Sequence, residues 1–129
     1  MEYKEYGSKN NDIIILLHGG GLSWWNYIDE ISLLENEFHI VIPILDGHSR
    51  SDTNFTSIES NALEIINFIN KNYNGKVKLI GGLSLGGQIL LEILSKNPDI
   101  CECAIIESAL VIPMDFTYKM IELIFNLSY

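Results

Sequence analysis

Ile13 to Leu17 is a run of five aliphatic residues without polar interruption, the pattern of a strand covered on both faces, and it stops at His18 followed by Gly19-Gly20-Gly21. Trp24, Ile28, Ile31 and Leu34 then recur at helical spacing. His39 to Pro43 forms a second short apolar run that ends in the turn-rich Leu45-Asp46-Gly47-His48-Ser49. Thr56 and Glu59 make a capping box, after which Ile58, Ala62, Ile65, Ile66, Ile69 and Tyr73 share one helical face until Asn74-Gly75 ends it. Val77 to Gly81 reads as a third buried strand, Leu85 to Asn97 as a third helix closed by Pro98, and Ala104 to Ile112 as a fourth apolar stretch. Strand and helix alternate throughout. Each parallel connection needs a crossover, so the predicted fold is α/β, a mostly parallel sheet with helices on both faces. No internal repeat, low-complexity tract or linker divides the chain, which reads as one domain over residues 1–129.

With 129 residues and 47% apolar composition, the chain is long enough for one core and too short for two comfortable domains. Seventeen acidic against eight basic residues give a net charge of -9, which opposes phosphate backbones and anionic membrane surfaces, so nucleic-acid binding is not expected. No apolar run approaches the roughly 18 residues of a membrane helix. Met1-Glu2-Tyr3-Lys4 leads into polar sequence rather than a signal-peptide core, so a cytoplasmic location is expected. Cys101 and Cys103 stand one residue apart, where a mutual disulfide would be strained and strand alternation puts both on one face. They read as packed, reduced thiols. A metal pair would need histidine or further cysteine nearby, so neither metal nor cofactor is expected.

The chemistry concentrates at Gly82-Leu83-Ser84-Leu85-Gly86, a G-x-S-x-G pattern between an apolar run and a helical one. A serine hydroxyl is a weak nucleophile, and this context holds it on a sharp strand-to-helix turn, open to substrate and to a general base. Glycine two residues to either side is a steric requirement, because a side chain at either position would meet the neighbouring strand or helix. Phosphate binding is the competing reading of a glycine loop at a strand–helix junction. Gly82 and Gly87 have P-loop spacing, but Gln88 stands where lysine must reach the phosphates and Ile89 where a hydroxyl must bind magnesium. No G-x-G-x-x-G passes through the turn either, because Ser84 occupies its second glycine.

Three motifs in order, His18-Gly19-Gly20-Gly21, Asp46-Gly47-His48-Ser49-Arg50-Ser51 and the Ser84 turn, each follow a predicted strand. In this order the chain resembles the N-terminal half of an α/β-hydrolase, from Met1 through about Ile112. The resemblance implies a nucleophile elbow at Ser84 and an oxyanion segment at His18–Gly21, with the N–H groups of Gly20 and Leu85 as donors. It implies acyl transfer to water from a small carboxylic ester through a Ser84 acyl-enzyme. Trp24 and Trp25, with Tyr27 beyond them, are candidates for an apolar substrate pocket, helix-core packing being the competing reading. Serine at the elbow argues against the branches that attack through an aspartate.

Family triads run serine, acid, histidine along the chain. After Ser84 come Glu92, Asp99, Glu102, Glu107, Asp115 and Glu122, and no histidine. His18, His39 and His48 all lie upstream, where the resemblance assigns them to the oxyanion loop, a strand start and a structural turn. The expectation is therefore a truncated hydrolase core that lacks the C-terminal strands with their acid and histidine and is inactive or weak alone. The alternative is a non-catalytic small-ligand-binding module or a structural remnant. In a full hydrolase, residues 113–129 would begin a cap or lid. Tyr118 to Tyr129 is apolar more widely than one exposed helix tolerates, which makes it a candidate homo-oligomer surface.

Overall fold

The computed structural model describes residues 1–49 and 51–111. Strand β1 (Glu2–Tyr6) is followed by β2 (Asp12–Leu17), a 3-10 turn at Trp24–Tyr27, α1 (Ile28–Leu34) and β3 (Phe38–Ile44). The chain continues through α2 (Ile58–Tyr73), β4 (Val77–Leu83), α3 (Leu85–Lys96) and β5 (Cys101–Glu107). The five strands form one sheet in the order β1-β3-β2-β4-β5. Every pairing is parallel except β1 with β3, which is antiparallel. The predicted α/β architecture is thus present, with one strand that the apolar pattern did not announce. Glu2 to Tyr6 mixes three charged residues with two tyrosines, the signature of an edge strand rather than a buried run.

Alternation along the central strands separates two packing layers. Ile15, Leu17, Val41 and Ile80 face α2 and α3, which contribute Ala62, Ile65, Ile69, Ile89, Leu90 and Ile93 to a fully buried core. Ile40 and Ile42, on the opposite face, pack against Tyr27 and Ile31 from the 3-10 turn and α1. Helices therefore cover both faces, as right-handed crossovers require.

Three local expectations shift. The N-cap of α2 is Ser57, whose hydroxyl accepts from the Ser60 N–H at 3.1 Å, one residue later than the Thr56 box. β5 starts at Cys101 and ends at Glu107 rather than running from Ala104 to Ile112, because Ser108 turns to φ 52. Both cysteines lie on β5 as free thiols, but only Cys101 is half-buried; Cys103 is exposed rather than packed. The expected cap and oligomer surface at 113–129 lie outside the described residues.

Because β2, β3, β4 and β5 run the same way, their C-terminal ends share one edge of the sheet. The segments leaving that edge carry His18, Leu45, Ser84 and Ser108. In open α/β sheets this carboxyl edge is where ligands bind.

Candidate active site

The turn from β4 into α3 is made at Ser84, which takes φ 52 and ψ -110. A non-glycine residue held in such a region costs on the order of 1–3 kcal/mol and persists only where its surroundings over-determine it. Two backbone bonds do so: the Ser84 N–H donates to the Glu107 carbonyl at 2.8 Å, and the Ser84 carbonyl accepts from the Gln88 N–H at 3.0 Å. Glycine supplies the space. A Cβ on Gly82 would stand 2.5 Å from the Gly86 carbonyl oxygen, and one on Gly86 would overlap the Leu17 carbonyl and come within 2.8 Å of that of His18. Gly86 lets α3 start directly against the end of β2, and Gly82 lets β4 pass under the first turn. Ser84 itself is exposed, at the N-terminus of a helix whose dipole favours a developing anion.

The glycine loop after β2 lies against this turn. Built Cβ atoms would fall 3.6 Å from the Ser84 Cβ for Gly19 and 4.0 Å from the Leu85 Cβ for Gly20. The loop is anchored from behind by buried groups. The Leu45 N–H donates to His18 Nε2 at 3.1 Å, so the ring proton sits on Nδ1 and is donated to the Gly19 carbonyl at 2.9 Å. Burial pushes the His18 pKa down, against the Gly19 carbonyl, which raises it, and with a smaller lowering from His48. The Tyr27 hydroxyl donates to the Leu17 carbonyl at 2.9 Å, and burial pushes this phenol up to about 12. Gly21 is the loop residue that needs positive φ, at 73°.

No histidine among the described residues hydrogen-bonds Ser84. His18 has both ring nitrogens engaged. His39 sits at the start of β3, level with Ile13, so it lies at the opposite end of the sheet, about 20 Å from Ser84 at ~3.3 Å per residue. Its Nε2 meets Glu5 Oε2 at 3.0 Å. His48 donates from Nδ1 to the Asp46 carbonyl at 2.9 Å, with its ring 5.2 Å from that of His18. Buried Asp46 accepts from the Thr53 hydroxyl at 2.5 Å and donates its N–H to Asn61 Oδ1 at 3.1 Å, so this turn is a structural brace.

Of the two tryptophans, Trp24 packs half-buried against Tyr27, Ile31, Ile40 and Ile42. Its surroundings are those of core packing. Trp25 is 46% exposed. Two apolar residues that pattern reading passed over are held on the segments next to the Ser84 turn. Leu22 Cδ1 stands 3.3 Å from the Cβ position of Gly19, and Leu110 is tied to α3 by a bond from Gln88 Nε2 to its carbonyl at 2.9 Å. Neither belongs to a motif; only the tertiary approach of their loops brings them here.

A mostly parallel sheet with helices on both faces and a left-handed serine at a strand–helix bend, flanked by two sterically obligatory glycines, defines the α/β-hydrolase class. The family model for the alpha/beta hydrolase fold matches residues 12–126, and the chain belongs to that family. A protein of Cyberlindnera fabianii described as a "probable alcohol acetyltransferase" is 29% identical over 102 residues, covering 76% of this chain and 27% of its own length. An esterase from a marine microorganism superposes with a TM-score of 0.73 at 26% identity, over 81% of this chain and 40% of that one. A thermophilic esterase from Thermogutta terrifontis gives 0.77 at 23% identity, over 88% and 42%. The chain thus spans less than half the length of these relatives. No helix among the described residues is long and apolar enough to cross a membrane.

Proposed function

We propose that the chain is the nucleophile-bearing part of a serine hydrolase acting on a small carboxylic ester. Ser84 Oγ attacks the ester carbonyl and its proton passes to a base; the tetrahedral oxyanion is held by the N–H groups of Gly20 and Leu85. Collapse expels the alcohol and leaves an acyl-enzyme, which water hydrolyses to the acid. The observation that carries this reading is the exposed Ser84 at φ 52, kept there by Glu107, Gln88 and the two glycine contacts. Nothing in core packing requires that strain, and strained residues of this kind cluster at functional sites. The approach of Gly20 to Leu85 supports the pairing of oxyanion donors.

The base is not supplied by a hydrogen bond within these residues: His18 has both ring nitrogens engaged, His39 is paired with Glu5 at the far end of the sheet, and His48, fixed through Nδ1 on the Asp46 carbonyl, makes no bond to Ser84. Turnover by the 129 residues alone is therefore expected to be weak or nil, at best the roughly 10³ to 10⁴ over water that remains when a triad is dismantled. Chromogenic-ester hydrolysis and fluorophosphonate labelling of the native chain and Ser84→Ala test this. The reading expects slow labelling confined to Ser84. Labelling that persists in Ser84→Ala, or a native chain inert to a large excess of reagent, would remove it.

A further inference from the structure

The geometry points to Gln88 as a positioning residue that holds Ser108–Val111 as an apolar wall beside Ser84, selecting esters with an extended hydrocarbon group. This deepens the serine-hydrolase reading and rests on it for its reaction, although not for its binding step. Two contacts press the segment onto the first turn of α3, and a third holds the strand end just before it. Gln88 Nε2 donates to the Leu110 carbonyl at 2.9 Å. The Ser84 N–H donates to the Glu107 carbonyl, ahead of the segment. A Cβ on Gly87 would stand 3.0 Å from the Ala109 Cβ, so the chain passes as close to the helix as glycine permits.

Ser108 turns the chain off the sheet at φ 52 and sends it over the helix start. The result is outward-facing apolar surface: Leu110 is 44% and Val111 68% exposed. On the glycine loop, Leu22 lies by the Cβ position of Gly19, which is itself 3.6 Å from the Ser84 Cβ. The strip 108–111 lies against the helix turn that follows Ser84, and Leu22 against the loop beside it. Residues 108–111 carry no charge in a chain of net charge -9, so the wall suits a neutral hydrocarbon chain and has no cation for a carboxylate. The Gln88 bond matters because a four-residue strip with one anchor to the helix side chains loses its place when that anchor goes.

The neutral ketones 2-decanone and 2-butanone serve as unreactive probes, titrated against the full chain while the methyl NMR signals of Leu22, Leu110 and Val111 are followed. The expected result is saturable shifts of Leu22 and Leu110 with 2-decanone at concentrations where 2-butanone produces none. Gln88→Glu is nearly isosteric but cannot donate, and Gln88→Met is its apolar counterpart. Both are expected to weaken 2-decanone binding about five- to tenfold, the worth of one hydrogen bond, and to speed amide exchange over 108–111 without changing β5. Ser84→Ala is expected to bind as the native chain does, which separates failure of the wall from failure of the nucleophile. Equal response to the two ketones, shifts confined to other methyls, or unchanged binding and exchange in both Gln88 variants would overturn the proposal.

Discussion

Ser84 and Ser108 occupy the same place at the ends of neighbouring parallel strands. Leu83 pairs with Glu107, the next residue on each strand is a serine, and both serines have φ 52. The Ser84 N–H bonds back to the Glu107 carbonyl at 2.8 Å, so the two departures from the sheet are coupled through one peptide. One serine turns its chain into α3, and the other sends its chain across that helix's first turn. The sheet edge thus produces the Ser84 bend and the course of residues 108–111 together.

If strain at Ser84 is retained for chemistry, relieving it should stabilise the fold. Ser84→Gly is expected to raise the unfolding free energy by about 1 kcal/mol, since glycine takes this conformation without the Cβ penalty, while abolishing fluorophosphonate labelling. Urea denaturation of native, Ser84→Gly and Ser84→Ala checks it. Equal or lower stability of the glycine variant would mean that the bend is unstrained.

The flanking glycines carry the opposite sign. Gly86→Ala drives a methyl into the Leu17 carbonyl and Gly82→Ala into the Gly86 carbonyl, both backbone groups with nowhere to move. Each is expected to cost about 3 kcal/mol, at the upper end for overpacking. Gly20→Ala meets only the Leu85 side chain at 4.0 Å and is expected to cost under about 1 kcal/mol. Thermal unfolding of the three variants should rank them accordingly.

His18 makes the glycine loop after β2 acid-sensitive. Its Nε2 accepts from Leu45 N–H only when unprotonated, and burial pushes its folded pKa below the ordinary 6.5. The unfolded chain therefore binds this proton first as pH falls, and the stabilisation from neutral His18 is full above pH 6.5 and lost as pH drops through the folded pKa. The slope is at most about 1.4 kcal/mol per pH unit. His18→Asn should be less stable at pH 7.5 and should lack this component of the slope below pH 6.5. Unfolding curves at several pH values measure both.

Much of this architecture was legible because buried parallel strands write themselves as unbroken aliphatic runs. Ile13 to Leu17, His39 to Pro43 and Val77 to Gly81 are the three central strands, and the glycines around Ser84 mark its bend before any contact is known. β1 was not legible, since an antiparallel edge strand of Glu2-Tyr3-Lys4-Glu5-Tyr6 has no apolar run to show. The end of β5 was misread for a related reason. Ala109, Leu110 and Val111 continue the apolar composition past the point where Ser108 breaks the strand geometry. The surroundings of Ser84 were the least legible part: Leu22 approaches Gly19 and Leu110 is tied to Gln88 only through the tertiary course of their loops, whereas the conspicuous Trp24 turned inward to pack on Ile40 and Ile42.

The two tryptophans should separate in measurement. Trp24→Ala removes a half-buried ring from the α1 face and is expected to cost about 3 kcal/mol, whereas Trp25→Ala removes a ring 46% exposed and should cost under about 1 kcal/mol. If 2-decanone reaches the elbow from the loop side, Trp25 fluorescence should respond to it and Trp24 fluorescence should not. Single-tryptophan variants read each signal alone.

The histidine inventory yields the sharpest expectation about reactivity. His48 is the one whose Nε2 makes no hydrogen bond among the described residues, and its Nδ1–H is fixed on the Asp46 carbonyl. If it served as a stand-in base, His48→Ala would lower Ser84 labelling by the 10²- to 10⁴-fold typical of a lost general base. Its bracing role predicts instead a labelling rate within about twofold of native, with some loss of stability. Added imidazole should accelerate labelling in both proteins, because an external base then supplies what the described histidines do not, and Ser84→Ala should stay unlabelled throughout. A collapse of labelling in His48→Ala that imidazole restores would make His48 the base after all, since a merely destabilised elbow would not be rescued by a diffusible one.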